Sequence, residues 1–327
     1  MMHYCTLFDS HFLLRGMALL DSFKKNVTHP YHLWVLCIDN EVYRVLSELS
    51  LDHVHLITFE KLGEAYPSFK EVRNNRSQYS YLCTSKSFLM RWILDTQEGA
   101  EGVAYLDADT FLFCDPLDIW KEMENHSILL SPHNFPLGKE SKGKCGKFNA
   151  GFVTVRNDRI GNDFLDWWCD RVVESCEDRI SDGLFYDQYY LDQVPRLFER
   201  VRESQHHGIN AAPWNLASFK TEERDGKVFI DGRPLVFFHY HSLKRLFPCV
   251  YDPSLSAFGV RPDSIIKKHI YRPYFVGLHR ARKWLKAQGI KASLGAVRRE
   301  ISKKNLIPSV RRFLRGQIFI VWRGKIL

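Results

Sequence analysis

The sequence predicts an α/β fold with a mostly parallel central sheet flanked by helices, followed by a basic helical C-terminal extension. Three observations predict it. Strand-like and helix-like patterns alternate from the N-terminus onward, two aspartates interrupt the apolar run VAYLDADTFLF at 103–113, and the charge changes sign near residue 260. Repeated alternation argues for parallel strands joined by helices, and ligands of such sheets gather outside the carboxyl ends of the strands.

Each element follows from its pattern. HYCTLF (3–8) is a first strand, LLRGMALLDSFKKN a helix and HLWVLCIDN a second strand ending at Asp39. EVYRVLSEL is a helix, VHLITF a third strand, and SKSFLMRWIL a helix leading into the strand that carries Asp107 and Asp109. DPLDIWKEME opens a helix with Pro116 in its first turn, and SILLSPHNF is a strand running into a loop. The stretch PLGKESKGKCGK (136–147), rich in Gly and Lys, reads as a mobile loop whose residues would set donor choice. FNAGFVTVRN has strand character, NDFLDWWCDRVVESC helical spacing, and FYDQYYLDQVPRLF is helical up to Pro195. The run PLVFFHYHSLKR reads as a strand, which puts His239 and His241 on one side. From Ile265 on, IIKKHIYRPYF, GLHRARKWLKAQ and PSVRRFLRGQIFIVWRGKIL read as helical segments with basic faces. The division is therefore a body at 1–260 and an amphipathic extension at 261–327.

Composition narrows the class. With 327 residues, 45% of them hydrophobic, the chain can bury a large core and is not disordered. The net charge of +8 is uneven. Residues 261–327 hold eighteen Lys/Arg against Asp263 and Glu300, or +16, leaving 28 basic and 36 acidic residues, or −8, in the body. The extension suits an anionic membrane surface or nucleic acid. No RNA-binding motif with interleaved aromatics is present, so nucleic acid is not the expected partner. The eight cysteines are scattered with no C-x-x-C pair, as expected of reduced thiols. Neither a secretory signal nor an eighteen-residue apolar run is seen, so a cytoplasmic location is expected, peripheral on the inner face of the cell membrane.

The aspartates carry the chemistry. Asp-x-Asp at a strand end places two hard oxygen ligands together, suited to Mg²⁺ or Mn²⁺ with phosphate oxygens completing the shell. His239 or His241 would reach a metal held there, and Lys244 and Arg245 would meet an anionic diphosphate. Each residue also has a plain structural reading: Asp107 and Asp109 as turn residues, Trp214 as core, Asp187 as a helix cap.

Read in order, the pieces CTLFD with Phe12, Lys86, YLDADT, FNAGF, YDQ (186–188), APWN (212–215) and FHYH resemble the nucleotide-sugar glycosyltransferases of the GT-A (Rossmann-like) fold, and most closely family 8 and its bacterial relatives. These pieces span residues 4–245. The resemblance implies that Thr6, Asp9 and Phe12 line the base site, with Phe12 stacking where relatives often have tyrosine. Lys86 and Ala108 would lie on the nucleotide side. Asp107 and Asp109 would hold Mn²⁺ or Mg²⁺ with a late histidine as third ligand. Asn149, Ala150 and Gly151 would sit beside the donor sugar, Asp187 and Gln188 near its anomeric carbon, and Trp214 and Asn215 on the acceptor side. The implied activity is transfer of a hexose, with retention, from a nucleoside-diphosphate sugar (a UDP-sugar favoured) to a saccharide or glycolipid acceptor. Family 8 members follow the histidine with Gly three positions later and then Lys-Pro-Trp, whereas here His239 is followed by Tyr-His-Ser-Leu-Lys-Arg. The spacing to Ser242 favours His239, with His241 the alternative.

Two rival readings accompany this one. DADT also fits the nucleophile loop of haloacid-dehalogenase-like phosphatases, with Asp107 phosphorylated, although that loop follows the first strand of its domain and several units precede it here. The other rival is a non-catalytic nucleotide- or nucleic-acid-binding protein.

Overall fold

The structure is a computed structural model that describes residues 1–49, 51–138, 145–179, 184–290, 313 and 316–327. Strand β1 (Met2–Phe8), helix α1 (Leu13–Asn26), β2 (Tyr31–Cys37), α2 (Asn40–Leu49) and β3 (Val54–Thr58) follow one another as the alternation dictates. All but one residue of β1 and of β2 are buried, which is why both read as near-continuous apolar runs. Two short helices, α3 (Phe59–Ala65) and α4 (Pro67–Glu71), lead to α5 (Gln78–Thr96). Thr58 caps α3 by accepting the Lys61 N–H, and Ser77 caps α5 by accepting that of Ser80. Then come β4 (Gly102–Leu106), β5 (Thr110–Leu112), α6 (Leu117–Met123), β6 (Ile128–Pro132), β7 (Phe148–Arg156) and α7 (Arg159–Glu174), the last capped by Asp158.

Seven strands make the central sheet in the order Val201–Glu203, β6, β7, β4, β1, β2, β3. Neighbours are parallel except at β7, which runs against both β4 and β6. One buried apolar cluster joins one face to α1, α2 and the C-terminal helix Arg272–Ala287, and a second joins the other face to α3, α5 and α7.

Several boundaries differ from the sequence pattern. β4 ends at Leu106, so Asp107 and Asp109 lie in the tight connection to β5, where Thr110 N–H and Oγ1–H both donate to the Asp107 carbonyl at 3.1 and 2.9 Å. The stretch after Tyr186 is a 3₁₀ turn (Tyr189–Gln193) followed by a short helix (Val194–Leu197). Pro195 sits in that helix's first turn, where no N–H is needed, and does not end it. The late strand covers only Phe237–His239. Most of the Gly- and Lys-rich stretch, 139–144, and residues 291–312 and 314–315 of the extension lie outside the described residues.

The extension is not helical throughout. Phe319–Trp322 is a strand pairing with Val250–Asp252, and Lys325–Ile326 folds back on it. Arg323 and Gly324, both at positive φ (49° and 81°), form the two-residue hairpin turn. The helix Arg272–Ala287 belongs to the core: Tyr274 stacks on Tyr240 with ring centroids 3.7 Å apart, and Tyr240 donates to the Ile270 carbonyl at 2.6 Å. Residue 260 therefore marks a change of charge, while apolar packing runs across it. Among the described residues no helix is long and apolar enough to cross a membrane.

Candidate active site

The reversal of β7 builds the site. Parallel strands deliver their carboxyl ends to one edge of the sheet, and a reversed strand delivers its amino end to that same edge. Leu106 at the end of β4 pairs with Phe152, and Asp107 N–H donates to the Gly151 carbonyl at 2.9 Å, so Asn149, Ala150 and Gly151 lie against the aspartates. The strand Phe237–His239 runs antiparallel to β5 with His239 opposite Thr110, and Tyr240 N–H donates to the Asp109 carbonyl at 2.8 Å. This brings one ligand atom each from Asp107, Asp109 and His239 within 4.8 Å of one another.

The donor set fits a divalent cation. His239 Nε2 is 3.1 Å from Asp109 Oδ1 and 3.8 Å from Asp107 Oδ2. Asn210 Nδ2 donates to Ser131 Oγ and to Asn149 Oδ1, both at 3.2 Å, which turns its Oδ1 to His239 Nδ1 at 3.3 Å. That network places a proton on Nδ1 and aims Nε2 at the carboxylates, where either a second proton or a metal ion would join them. A lone pair opposite a carboxylate oxygen is repulsive unless a cation joins them, and adjacent ligands on an ion with bonds of about 2.1 Å stand about 3 Å apart. Gly151 is the floor of this cradle: a Cβ there would come 2.6 Å from both Asp107 Oδ2 and His239 Cε1, and 2.7 Å from Asn149 Oδ1.

Buried cations balance the acids. Lys86 Nζ lies 3.3 Å from Asp107 Oδ1 and 3.5 Å from Asp187 Oδ2, and donates to the Ala150 carbonyl at 3.2 Å. Burial works to lower the Lys86 pKa, but Asp107 and Asp187 outweigh it and hold it well above the usual lysine value. Burial pushes the Asp187 carboxyl upward, with Lys86 opposing. Arg15, itself buried, reaches Asp109 Oδ2 with Nη1 at 3.1 Å. Burial disfavours ionised Asp109, yet His239, then Arg15 and His241, more than offset it and hold the carboxyl well below the usual range. Tyr105 donates to Asp107 Oδ1 at 2.8 Å. Three carboxylates against two cations leave −1, which a divalent ion would turn to +1 before a diphosphate arrives.

Two chambers meet over this cluster. The larger, of about 630 Å³, is lined by Asp9, Phe12, Ala108 and Asp109 among others, and the smaller, of about 270 Å³, by Asn149, Ala150, Gly151, Asp187, Gln188 and Trp214. Lys86, Asp107, His239 and His241 line both. The larger is roomy enough for a nucleotide and the smaller for a sugar ring. Phe12 is exposed at 37%, with the Arg15 guanidinium 4.8 Å from its ring centre, and Asp9 Oδ1 accepts the Phe12 N–H at 3.1 Å, fixing the entry to α1. Gln188 Oε1 accepts from Asn149 Nδ2 and Ala150 N–H, both at 3.1 Å, while its Nε2 donates to the Cys145 carbonyl at 2.8 Å. His241 lies past the strand end, its ring 5.9 Å from that of His239, and its pKa is pushed down to about 4 by burial and then by His239.

Two residues of the expected set do not line either chamber. Thr6 is wholly buried within β1. Asn215 is buried too; its Oδ1 accepts the Ala212 N–H at 2.9 Å and its Nδ2 donates to the Asn210 carbonyl at 3.3 Å, so it holds the loop that carries Asn210 and Trp214. Sequence reasoning missed Arg15, Tyr105, Asn210 and His133. A lone charge inside LLRGMALL was a signal for Arg15. His133, whose Nδ1 faces the Gly146 and Lys147 carbonyls at 3.0 and 3.1 Å, has its pKa pushed down to about 4 by burial.

The family described as nucleotide-diphospho-sugar transferase matches residues 29–196. The Bacillus subtilis protein YfnF, uncharacterised, is 30% identical over 246 residues, covering 72% of this chain and 80% of its own. YfnD of the same organism, also uncharacterised, is 28% identical over 286 residues, covering 85% and 89%. Among solved structures, the galactosyltransferase LgtC in complex with donor and acceptor sugar analogs shares the fold at a TM-score of 0.50 and 15% identity, over 76% of this chain and 88% of that one. Mouse xyloside xylosyltransferase 1 in its apo form does so at 0.51 and 13%, over 74% and 98%.

Proposed function

Because the chain belongs to the nucleotide-diphospho-sugar transferase family, we propose that it moves a hexose from a nucleoside-diphosphate sugar to a saccharide acceptor of a cell-envelope glycolipid or polysaccharide, with retention and with Mn²⁺ or Mg²⁺ as cofactor. Membership of a transferase family weighs against the phosphatase reading of Asp107, and the resemblance assigns the DADT stretch to the donor. The observation that carries the proposal is the cluster of Asp107, Asp109 and His239 at the junction of the two chambers. A UDP-sugar is favoured by the resemblance to family 8, and the LgtC complex with donor and acceptor sugar analogs supports a saccharide acceptor.

The chain's own residues divide the work. Asp107, Asp109 and His239 would hold the ion, which when bound would offset negative charge developing on the leaving diphosphate. Lys86, kept charged, adds a fixed cation between the chambers. Phe12 offers an open ring face to a base. Asp187 is the polar group best placed beside the sugar: it lines the smaller chamber, and among the described residues its Oδ2 has no hydrogen-bond partner and faces Lys86 at 3.5 Å. Gln188, bonded through both ends of its amide, holds Asn149 and Ala150 in place.

The test is a thermal-shift series with UDP, GDP and CDP, each with Mn²⁺, Mg²⁺ or EDTA. At a hundred times its Kd, a nucleotide that binds only the folded chain adds about 2.7 kcal/mol, or a rise of about 5 °C, and the rise should vanish in EDTA. No shift with any of them would overturn the donor site.

The same proposal places the protein on an anionic membrane surface through residues 261–327, on the inner face of the cell membrane. In support, Phe313, Trp322 and Leu327 are exposed large hydrophobics, and Phe247 on a strand of the same small sheet is another, in the company of Lys244, Arg245, Arg323 and Lys325. Truncation at 260 would strip the core of Tyr274, so surface substitutions are the better probe. Arg323→Glu with Lys325→Glu should lower sedimentation with phosphatidylglycerol vesicles more than tenfold, at about 1 kcal/mol per basic residue lost. Equal sedimentation would sink the idea.

A further inference from the structure

Arg15, one of the two buried cations of the site, has been given no role in the proposed reaction. It lies in the first turns of α1, only 5% exposed, in the otherwise apolar run LLRGMALL. A guanidinium is costly to bury unless its donors are used. Here Nη1 donates to Asp109 Oδ2 at 3.1 Å and Nη2 to the Leu243 carbonyl at 2.7 Å. Leu243 follows Ser242, which turns the chain at φ +58°, just beyond His239. The two branches of one fork therefore grip both segments that bring ligand atoms together: the Asp107–Asp109 connection and the chain leaving His239.

We infer that Arg15 is a positioning residue that fixes Asp109 as a one-oxygen metal ligand, an inference that rests on the metal reading proposed above. With Oδ2 held by Arg15, the carboxylate cannot swing, and Oδ1 stays 3.1 Å from His239 Nε2. Lysine keeps the charge and loses the fork, so it cannot hold Oδ2 and the Leu243 carbonyl at once. Electrostatics and positioning then predict opposite signs. A mere counter-charge repels a divalent ion, and its removal would tighten metal binding. A positioning group, once lost, weakens it.

The experiment is a Mn²⁺ titration of the full chain read by the electron paramagnetic resonance of free Mn²⁺, for wild type, Arg15→Lys and Arg15→Met, with melting curves alongside. Arg15→Lys should weaken Mn²⁺ by about 10- to 100-fold with the melt largely kept, and Arg15→Met should move the same way. Unchanged or tighter Mn²⁺ binding in a folded variant overturns the role of Arg15. A wild-type protein that binds no Mn²⁺ removes the metal reading itself, and Arg15's role with it. Should neither variant fold, wild type and Asp109→Asn together decide: the infrared carboxylate bands that differ between them on Mg²⁺ addition should show the wide splitting of a one-oxygen ligand, and the narrow splitting of a chelating carboxylate overturns the inference.

Discussion

Asp109→Ala is expected to lower turnover by about 10²- to 10⁴-fold, the share of several kcal/mol that a metal bound at a developing negative charge contributes. Alanine does a second thing, visible only in the structure. It leaves the buried Arg15 guanidinium facing a void where its carboxylate stood, and breaking a buried pair from one side costs about 3–5 kcal/mol. A loss of activity in Asp109→Ala therefore mixes chemistry with unfolding. Asp109→Asn separates them, since the amide oxygen can still accept from Arg15 while the charge that would hold a divalent ion is gone. Nucleotide release from the donor, measured beside urea melts, should show Asp109→Asn less stable than wild type but clearly more stable than alanine, and nearly as inactive as alanine. Wild-type turnover in Asp109→Asn, or turnover unaffected by EDTA, would remove the metal from the mechanism.

The second large effect is expected from the smallest change. Gly151→Ala adds one methyl group where three polar side chains already converge at 2.6–2.7 Å, closer than real Cβ contacts come. The obstacle is spatial: Gly151 is not among the positive-φ glycines, so the backbone accepts alanine. Asp107, His239 and Asn149 must each give way, and displacement of reacting groups by about 1 Å costs about 10²-fold in rate. The expected result is a folded protein with turnover at least 10²-fold down and Mn²⁺ binding weakened in parallel. If Gly151→Ala binds Mn²⁺ like wild type, the three ligand atoms are not gathered over residue 151.

Legibility in the sequence followed periodicity. β1 and β2 were readable because parallel strands buried on both faces leave apolar runs, α1 because its apolar positions suit a helix, and the edge strand β3 because VHLIT is rich in β-branched residues. The direction of β7 was not readable, because FNAGFVTVR pairs equally well either way and direction is set by what lies between strands. FIVW at 319–322 was read as helix because a four-residue apolar run has no period of its own; its partner, Val250–Asp252, lies some seventy residues earlier. In the site, residue type and spacing brought Asp107 and Asp109 together with either His239 or His241, and the preference for His239 came from the resemblance to family 8; His239 is the one whose ring nitrogen lies with the two carboxylates. Asn210, which orients His239, was not found, since nothing in GINAAPWN says that its amide will lie between a histidine and another asparagine. Thr6 illustrates the opposite failure: a residue type carried over from a motif that lies wholly buried in β1, outside the lining of both chambers.

The reversal of β7 also limits how this chain can change length. Side chains alternate along a strand, so a one-residue insertion or deletion within 149–155 would slip the register against β4 and turn the side chain of Asn149 to the opposite face. No loop stands between the Leu106–Phe152 pairing and Gly151 to absorb the slip. At the other end of β7, Asn157 and Asp158 are held by hydrogen bonds to Glu101 and to the start of α7, but they carry no alternating register. Length variation among descendants of this sequence should therefore be purged within 149–155 and less strictly after α7 has begun, so that the site is protected by the counting of residues as much as by their identity.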